Sequence, residues 1–446
     1  MKKIQLLTIL SGHLLCFAQG DLQIVLKDRE GYGPFRPGEL TTLPMKKRPE
    51  ARNIPGSILE YTIRQIDFQP YNSEFKEYAS KGMTREVFLS QFDKINKTLL
   101  TEKAYRHTFN VLLGKTTDKK IIVIIDVNNN LKFDDDKQYI FPVLTQKEEE
   151  LATGHPTSVV LPFEFYDGKA VIERPAKIII NPYKRGLQVT LLDSIENRFF
   201  LASSIPSYKE GRCMLLNKPY NVYLCNQYRS QDYSSANSRL LLSPESEPPA
   251  MEIQGNIPFE QDDIINIEGN QYRFSSVSLF GDTITLKYIG YNQRPEGFLE
   301  NMYVPGFKAR TIYGEDFDLS RFRDKYILLD FWGTWCVPCI KSLPEIKALH
   351  EKFKDKNFVL VSVANDRDID KVKMFVEKNE MSWVNVFQDE MAGHHDSELL
   401  KKLKISQYPT MILIDPNGKI VCRDKGIAYI EDVLTGKLKS VRDPSK

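Results

Sequence analysis

The stretch LLDFWGTWCVPCIKSLPEI, residues 328–346, contains two cysteines, Cys336 and Cys339, separated by two residues. An apolar run precedes the pair, as in a buried strand. A helical pattern follows it, with Leu343 and Ile346 on one side. Such a pair could bind a metal, close a structural disulfide or exchange electrons with another thiol.

Neither a zinc site nor a structural disulfide explains the pair well. A structural zinc ion needs four ligands, usually two Cys-x-x-Cys pairs or one pair with histidines. The chain has no second pair of this spacing, and its adjacent histidines, His394 and His395, stand in a polar segment. A disulfide across so short a loop would restrict the unfolded chain only slightly. The zinc site and the structural disulfide therefore remain the two weaker interpretations of the pair.

Redox chemistry accounts for the neighbours of the pair. At a helix N-terminus, the Cys336 sulfur would face unpaired backbone N–H groups and the positive end of the helix dipole, which stabilise a thiolate. Pro338 suits the first helical turn, where a missing N–H does no harm. Cys339, one turn on and more sheltered, would attack the mixed disulfide formed by Cys336. The sequence therefore favours a redox dithiol that needs no metal or organic cofactor.

The length and the net charge of the chain limit the classes of protein to which it can belong. A chain of 446 residues is long enough for two or three domains, each with its own core. The formal net charge of +2 is not that of a protein with a basic surface for nucleic acid. We therefore expect no nucleic-acid partner. No Ser-His-Asp arrangement, glycine-rich phosphate loop or carboxylate pair indicates a hydrolase or a nucleotide-binding enzyme.

Residues 1–20 have the features of a signal peptide. A basic start is followed by an apolar run and by Ala18 and Gly20, small residues that fit the narrow subsites of signal peptidase. The run is shorter than the ~20 apolar residues of a membrane span. A lipid anchor on Cys16 is the alternative, but lipoprotein processing requires a small residue just before the cysteine, and Leu15 stands there. We expect an exported protein, in the periplasm rather than lipid-anchored in the envelope.

The pattern of apolar residues divides the mature chain. Residues 21–240 are predicted to be a mostly-β region of one or two domains, with one amphipathic helix between Phe88 and Leu99. Residues 241–300 are predicted to form a small β segment and a linker. In residues 301–446, strands and helices alternate, which predicts an α/β fold with a central mixed sheet and helices on both faces.

Residues 301–446 resemble the thioredoxin-fold domain of the TlpA/ResA-like class, the exported thiol-disulfide oxidoreductases of bacteria. The sequence WCVPC matches the WCxPC active site of that family. Asp330 matches its buried acid, and Pro344 matches the proline that kinks its active-site helix. Residues 408–410, Tyr-Pro-Thr, match its cis-proline loop. The resemblance covers about a third of the chain.

This resemblance implies a role for each matching residue. Cys336 would be the nucleophile, Cys339 the resolving thiol that forms the redox disulfide with it, and Asp330 the proton relay. Pro409 would contact the client protein. The other residues expected to bind substrate are Trp335, Val337, Pro338, Tyr408 and Thr410.

Two departures from the family pattern affect the expected activity. The family commonly has a glutamate three residues after the second cysteine, and Ser342 stands there, so a role of that glutamate in substrate choice does not carry over. Val337 and Pro338 replace the commoner Gly-Pro, and no histidine stands between the cysteines. Strong oxidants and isomerases tend to have one. We therefore expect reduction of disulfides in client proteins, with electrons from a membrane or periplasmic donor.

Residues 126–136 carry oxygen-bearing side chains at alternate positions, as a calcium loop does. The candidate ligands are Asp126, Asn128, Asn130 and Asp134. Leu131 stands where such a loop needs glycine, and Lys137 stands where it needs a bidentate glutamate. A solvated turn rich in Asp and Asn is the competing explanation. Any calcium would be structural.

The other cysteines suggest structural roles. Cys213 and Cys225 bracket a segment that could turn at 217–219, so a disulfide between them and two unpaired thiols are both open. Cys422 is predicted to be a small buried apolar residue.

Two functions of different classes remain. The first is an exported thiol-disulfide oxidoreductase that reduces client proteins. The second is a binding protein whose N-terminal region recognises a ligand or partner, with the thioredoxin unit as a redox sensor or docking module.

Overall fold

The computed structural model describes most of the chain in two compact units. The described residues are 20–36, 40–41, 43–44, 50–81, 84, 86, 88, 97–142, 157–182, 201–227, 232–235, 237–247, 257–389 and 398–439. The N-terminal unit comprises Met1–Ile253, Pro258–Asp263 and Arg273–Tyr288. The C-terminal unit comprises Gln254–Ile257, Ile264–Tyr272 and Ile289–Lys446. The predicted signal peptide lies, except for Gly20, outside the described residues.

Short strands dominate the described residues before position 292. In chain order they are β1 (Leu22–Val25), β2 (Lys27–Glu30), β3 (Leu40–Thr41), β4 (Leu43–Pro44), β5 (Ile58–Asp67), β6 (Thr108–Thr116), β7 (Ile121–Asp126), β8 (Gln138–Phe141), β9 (Thr157–Leu161), β10 (Glu164–Tyr166), β11 (Val171–Glu173), β12 (Ala176–Asn181), β13 (Ala202–Ser204), β14 (Ser207–Leu215), β15 (Lys218–Asn226), β16 (Ser238–Pro244), β17 (Ile264–Ile267), β18 (Asn270–Val277) and β19 (Thr283–Tyr291).

These strands form several sheets. Their orders are β4-β5-β6-β7-β8, β3-β13-β12-β9, β16-β15-β14-β2, β1-β19-β18-β17 and the hairpin β10-β11. In the five-stranded sheet, alternate residues face opposite sides. Val111 and Leu113 therefore join one buried cluster, whereas Leu112 joins another. The prediction of a mostly-β N-terminal region is confirmed.

Helix α1 (Pro70–Ser80) interrupts the strands at a place that the periodicity did not predict. It buries Asn72 and Phe75, so only one large apolar side chain marks its inner face. Pro70 opens it, in a position where a missing N–H does no harm. The amphipathic helix predicted between Phe88 and Leu99 lies mostly outside the described residues, and Leu99 itself ends a 3₁₀ helix, Lys97–Leu99.

The register of the β14–β15 hairpin keeps Cys213 and Cys225 apart. The turn lies at Leu216 and Asn217, which have positive φ angles of 49° and 61°. Cys213 is therefore opposite Tyr220, and Cys225 lies five residues further along β15. A disulfide would require the chain to turn about residue 219 instead. The two cysteines form no disulfide, so the expected hairpin does not bring them together.

The C-terminal unit alternates strands and helices after residue 307. Its strands are β20 (Lys308–Thr311), β21 (Asp316–Asp318), β22 (Tyr326–Trp332), β23 (Phe358–Asp366), β24 (Val384–Asp389), β25 (Thr410–Ile414) and β26 (Ile420–Arg423). Its helices are α2 (Val337–Phe353), α3 (Ile369–Lys378), α4 (Glu398–Lys402) and α5 (Ile427–Lys439), with a 3₁₀ helix at Leu319–Phe322.

The central sheet of this unit has the order β21-β20-β24-β23-β22-β25-β26. Strands β22, β23 and β24 run parallel, and β25 is antiparallel to β22. Leu329 and Phe331 face the cluster that includes α4, whereas Leu328 faces Leu349 of α2 and Ile430 of α5. Helices therefore cover both faces. The predicted thioredoxin-type α/β fold is confirmed, and Cys422 is buried in this core as expected.

None of the described helices combines the length and the apolar character needed to cross a membrane.

Candidate active site

Cys336 is the N-cap residue of α2. The N–H of Cys339 donates to the Cys336 sulfur at 3.2 Å, and the two cysteines are joined by a disulfide. The N–H of Cys336 donates in turn to the Gly333 carbonyl at 3.0 Å, which closes the turn between β22 and the helix. The sulfur thus occupies the end of the helix where backbone N–H groups lack partners, a position that stabilises negative charge.

The disulfide is buried beside exposed apolar side chains. Residue exposure is 3% for Cys336 and 5% for Cys339, so the expected difference in shelter is absent in the disulfide-bonded state. Both cysteines pack in one cluster with Trp332 and Leu343. The exposed residues adjoining them in sequence are Trp335, Val337, Pro338 and Ile340.

Trp335 joins the cysteine segment to the cis-proline loop. Its indole N–H donates to the Asn365 carbonyl at 3.0 Å, and its ring meets that of Tyr408 edge-on, with centroids 5.2 Å apart. The Tyr408–Pro409 peptide bond is cis, as the resemblance implied. Tyr408 also packs against the cluster that contains both cysteines. The predicted substrate-binding residues Trp335 and Tyr408 therefore lie together.

Thr410 differs from the other predicted substrate-binding residues because its side chain is buried. Its hydroxyl donates to the Gln407 carbonyl at 2.9 Å. The side chain therefore braces the cis-proline loop from within, and only the backbone of Thr410 is left to meet a substrate.

Asp366, at the end of β23, holds the segment before the cysteines. Its Oδ2 atom accepts hydrogen bonds from the Thr334 N–H at 2.9 Å and from the Thr334 hydroxyl at 2.7 Å, and its Oδ1 accepts from the Arg367 N–H. Asp366 is itself buried. The sequence analysis did not identify this residue, because only the pairing of β22 with β23 brings it to Thr334.

Asp330 lies on the face of the sheet that α2 covers. Residues two apart on a strand share a face, and Leu328 and Trp332 pack with residues of α2 in adjoining clusters. Asp330 is 3% exposed and accepts a hydrogen bond from the Ser362 hydroxyl at 3.0 Å. Burial raises the pKa of Asp330 to about 6, against the lowering effect of that hydrogen bond. Asp330 is therefore buried as expected, and burial shifts its pKa in the expected direction.

Ser342, where this chain departs from the family pattern, and Pro344, where it matches that pattern, both lie in α2. The Ser342 hydroxyl donates to the Cys339 carbonyl at 2.9 Å, so it is engaged within α2. Pro344 lies inside α2, where it cannot donate to the carbonyl four residues earlier.

The calcium candidates form a network among themselves and with the backbone. The Asp126 carboxylate accepts hydrogen bonds from the N–H groups of Asn130 and Leu131, at 3.0 and 2.9 Å, and from the Asn110 amide. The side-chain amides of Asn128 and Asn130 donate to Asp135, and their oxygens accept from the backbone N–H groups of Asn130 and Lys132. Among the described residues, no group of three or more His, Cys, Asp or Glu side chains is placed to hold a metal ion. The arrangement is that of a turn rich in Asp and Asn.

Comparison with known proteins agrees with this geometry. The family model described as Thioredoxin-like matches residues 324–420. The thiol-disulfide oxidoreductase ResA of Bacillus cereus is 30% identical over 139 residues, which are 31% of this chain and 77% of that protein. ResA of Bacillus thuringiensis subsp. konkukian has the same identity and coverage.

A solved structure is also similar to part of the chain. The thioredoxin domain of a thiol-disulfide oxidoreductase from Bacteroides vulgatus is 26% identical, with a TM-score of 0.30, and the match covers 32% of this chain and 99% of that one. The residues that the family model matches include both cysteines, the β22–β23 pair and α2. This chain belongs to the thioredoxin-like thiol-disulfide oxidoreductases and is an enzyme of that family.

Proposed function

We propose that this enzyme is exported and reduces disulfides of client proteins through Cys336 and Cys339. The observation that carries the proposal is the position of the Cys336 sulfur at the N-cap of α2, 3.2 Å from the N–H of Cys339. A thiolate at a helix N-terminus is stabilised, so the reduced pair would hold a nucleophile near neutral pH. Family membership gives the class of reaction, thiol–disulfide exchange; we propose its direction, its clients and its location.

The proposed reaction has two steps. The Cys336 thiolate attacks one sulfur of a client disulfide, and the other client sulfur leaves as a thiolate. Cys339 then loses its proton and attacks the Cys336 sulfur, which expels the second client thiolate. The client gains two electrons, and the enzyme is left with the disulfide between Cys336 and Cys339. A dithiol donor must return two electrons, and we propose a membrane or periplasmic partner for this.

Asp330 is the proposed acceptor of the Cys339 proton. An ordinary cysteine has a pKa of about 8.5, so the resolving thiol needs a base near neutral pH. A carboxyl with a pKa of about 6 is largely ionised at pH 7 and close enough to neutrality to return the proton later. Its position beneath α2, the helix that carries Cys339, supports this role.

Client docking is assigned to the exposed apolar surface beside the disulfide. Trp335, Val337 and Pro338 would contact client side chains. Tyr408, Pro409 and the backbone of Thr410 would contact the client main chain. The edge-on contact between Trp335 and Tyr408, at 5.2 Å, supports this assignment because it holds the two halves of the surface in one place.

Reduction is the proposed direction of electron transfer. Strong stabilisation of the thiolate makes a dithiol oxidising, and here the helix amides act without a histidine between the cysteines. We expect a reduction potential nearer the thioredoxin value of about −270 mV than the value of about −120 mV for a strong oxidant. Equilibration with glutathione or dithiothreitol measures it. A potential above about −170 mV would contradict the reductase proposal.

Export through residues 1–20 is tested on the mature protein. After expression in a Gram-negative host, we expect the protein in the periplasmic fraction, with Asp21 as its first residue by mass spectrometry. A protein that begins at a lipid-modified Cys16 would support the envelope anchor instead. Retention of residues 1–20 in the cytoplasm would contradict both.

Trapping tests the client proposal directly. A Cys339→Ala variant cannot resolve the mixed disulfide, so it should accumulate covalent complexes with disulfide-containing proteins that dithiothreitol releases. The control is the double variant Cys336→Ala/Cys339→Ala, which has no nucleophile. Equal recovery from both variants would contradict the reductase proposal and favour the alternative in which the N-terminal region binds a partner and the thioredoxin unit serves as a sensor.

A further inference from the structure

Two buried side chains, Asp330 and Ser362, and the partly buried Trp383 form a hydrogen-bonded row that ends at Asp330. The Trp383 indole N–H donates to the Ser362 hydroxyl oxygen at 2.8 Å, and that hydroxyl donates to Asp330 Oδ2 at 3.0 Å. Ser362 is fully buried, and it is paired with Asp330 across the parallel strands β22 and β23. Asp330 Oδ1 is also buried, and it has no hydrogen-bond partner among the residues that the structure describes.

The direction of this row follows from chemistry. An indole N–H can only donate, so the Ser362 oxygen must accept from Trp383. The hydroxyl has a single hydrogen, which points to Asp330 Oδ2. If Oδ2 carried a proton and donated to Ser362, the serine hydrogen would lose its acceptor inside the core. An unmade hydrogen bond there is unfavourable. The row therefore favours a proton on Oδ1 over a proton on Oδ2.

The surroundings leave the row as the main polar influence on Asp330. Ser362 and Met411 are its neighbours on β23 and β25. Burial raises the pKa of Asp330 and the Ser362 hydrogen bond lowers it, and no charged side chain among the described residues shifts it. Several titratable groups of the described residues lie in the packing around the row. They are Cys336, Cys339 and Tyr408 in one cluster against which Trp383 packs, Cys422 and Tyr326 in the other, and His350, whose ring lies 5.1 Å from that of Trp383.

We propose that Ser362 and Trp383 are positioning residues that confine the exchangeable proton of Asp330 to Oδ1 and favour its ionised form. The inference rests on the proposed function of Asp330 as the proton acceptor for Cys339. It adds that Oδ1 takes up and releases the proton while Oδ2 stays hydrogen-bonded to Ser362. Two residues remote in sequence from the cysteines would thus set the pH range in which the mixed disulfide is resolved.

The test compares Ser362→Ala and Trp383→Phe in the full chain. Ser362→Ala removes the hydrogen bond to the carboxylate. Trp383→Phe keeps a ring but removes the donor that polarises the Ser362 hydroxyl, so the hydroxyl donates a weaker hydrogen bond to the carboxylate. Both changes should raise the pKa of Asp330, by about one unit for Ser362→Ala and about half a unit for Trp383→Phe. Carbon-13 NMR of the Asp330 carboxyl measures the pKa directly.

The kinetic readout separates the two steps of exchange. Reduced enzyme mixed with dithiobis-nitrobenzoate releases one coloured thiolate on attack by Cys336 and a second on resolution by Cys339. The pH midpoint of the second phase should move upward with the pKa of Asp330. At a pH below both midpoints, a shift of one unit slows that phase about tenfold, whereas the first phase should keep its pH profile.

Trp332→Phe is the matched control. It removes an indole N–H from the same region, but the Trp332 N–H has no hydrogen-bond partner among the described residues. It should leave the pKa of Asp330 unchanged. If Ser362→Ala and Trp383→Phe lower the melting temperature but leave the carboxyl titration where it was, the two residues are merely structural and the inference is wrong.

Asp330→Asn distinguishes this inference from the proposed function. If that variant retains the pH dependence of the second phase, Asp330 is not the proton acceptor, and the relay proposal fails together with the kinetic part of the inference. If Asp330→Asn removes the pH dependence while Ser362→Ala leaves the midpoint unmoved, the relay stands and the positioning role is refuted.

Discussion

Each of the two units buries an aspartate, but the two carboxylates differ in how many hydrogen bonds they accept. Asp126, in the N-terminal unit, is fully buried, and its carboxylate accepts three hydrogen bonds, from one asparagine amide and two backbone N–H groups of its own loop. Asp330, in the C-terminal unit, is also buried, but its carboxylate accepts one, from Ser362. A carboxylate with several donors holds a turn in place, whereas one with few donors can take up a proton.

The cysteines of the two units also differ in their surroundings. Cys336 and Cys339 are joined at the first turn of α2, where backbone N–H groups converge. Cys213 and Cys225 lie in strands of a sheet, five residues out of register. Burial raises the pKa of Cys213 to about 12, which keeps that thiol protonated. Position, and not residue type, thus separates a reactive sulfur from an inert one.

The largest expected effect tests the comparison of the cysteines. Cys336→Ser should abolish disulfide reduction, because a serine hydroxyl forms no mixed disulfide and Cys339 does not replace the nucleophile at the N-cap. The double variant Cys213→Ser/Cys225→Ser should reduce insulin at the wild-type rate. The measurement is turnover of insulin with dithiothreitol as electron source. Activity lost from the double variant would show that the N-terminal cysteines take part.

The aspartates should respond to the same substitution with opposite signs of stability change. At pH 7, Asp126→Asn should lower the free energy of unfolding by about 1–3 kcal/mol, because donors in the loop lose their acceptor. Asp330→Asn should raise it by up to about 3 kcal/mol, which is the value of a pKa shift of about two units. Circular dichroism follows the first variant. Tryptophan fluorescence follows the second, since all three tryptophans lie after residue 330.

The gain from Asp330→Asn should depend on pH. Between pH 4 and about 6, the folded protein binds a proton at Asp330 that the unfolded chain has released, so the contribution of this residue to stability falls as pH rises. The stability difference between the variant and the wild type should therefore be full above pH 6 and disappear near pH 4. A difference that is constant with pH would mean that Asp330 has an ordinary pKa.

Asp366→Ala sharpens the comparison within the C-terminal unit. It frees Thr334 from two hydrogen bonds, so the segment before Cys336 should lose its alignment, and turnover should fall between about tenfold and a hundredfold. The matched control is Asp368→Ala, which removes the N-cap of α3 at a stability loss of about 1 kcal/mol. Its turnover should be that of the wild type. Equal losses of turnover in both variants would assign the effect to general destabilisation.

The smallest effect concerns calcium and the loop around Asp126. The carboxylate of Asp126 already accepts hydrogen bonds from N–H groups of its own loop. Millimolar calcium should therefore raise the melting temperature by less than about 2–4 °C, which is the shift that about 1 kcal/mol causes in a unit of this size. Differential scanning calorimetry with calcium and with chelator measures the shift. A rise of several degrees in calcium would support the metal hypothesis of the sequence pattern.

Local sequence patterns predicted the C-terminal unit well. The apolar run at 326–332, the helix after Cys336 and the hairpin around Gly418 all form where their composition indicated. Helix α1 was missed, because its inner face carries Asn72 and one phenylalanine instead of an apolar stripe. The turn of the β14–β15 hairpin was placed too late, at 217–219 instead of 216–217, since several neighbouring residues there tolerate a turn.

The sequence alone determined the redox motif, the order of strands and helices around it and the residues that match its family. These depend on neighbouring residues: a cysteine at the start of a helix, or an apolar run long enough for a strand. Only the tertiary structure decided which polar groups meet. Ser362 reaches Asp330, and Asp366 reaches Thr334, because β22 and β23 pair in one particular register. Trp383, just before β24, reaches Ser362 because β24 pairs with β23. That register is set by packing across the whole sheet, which no local pattern contains.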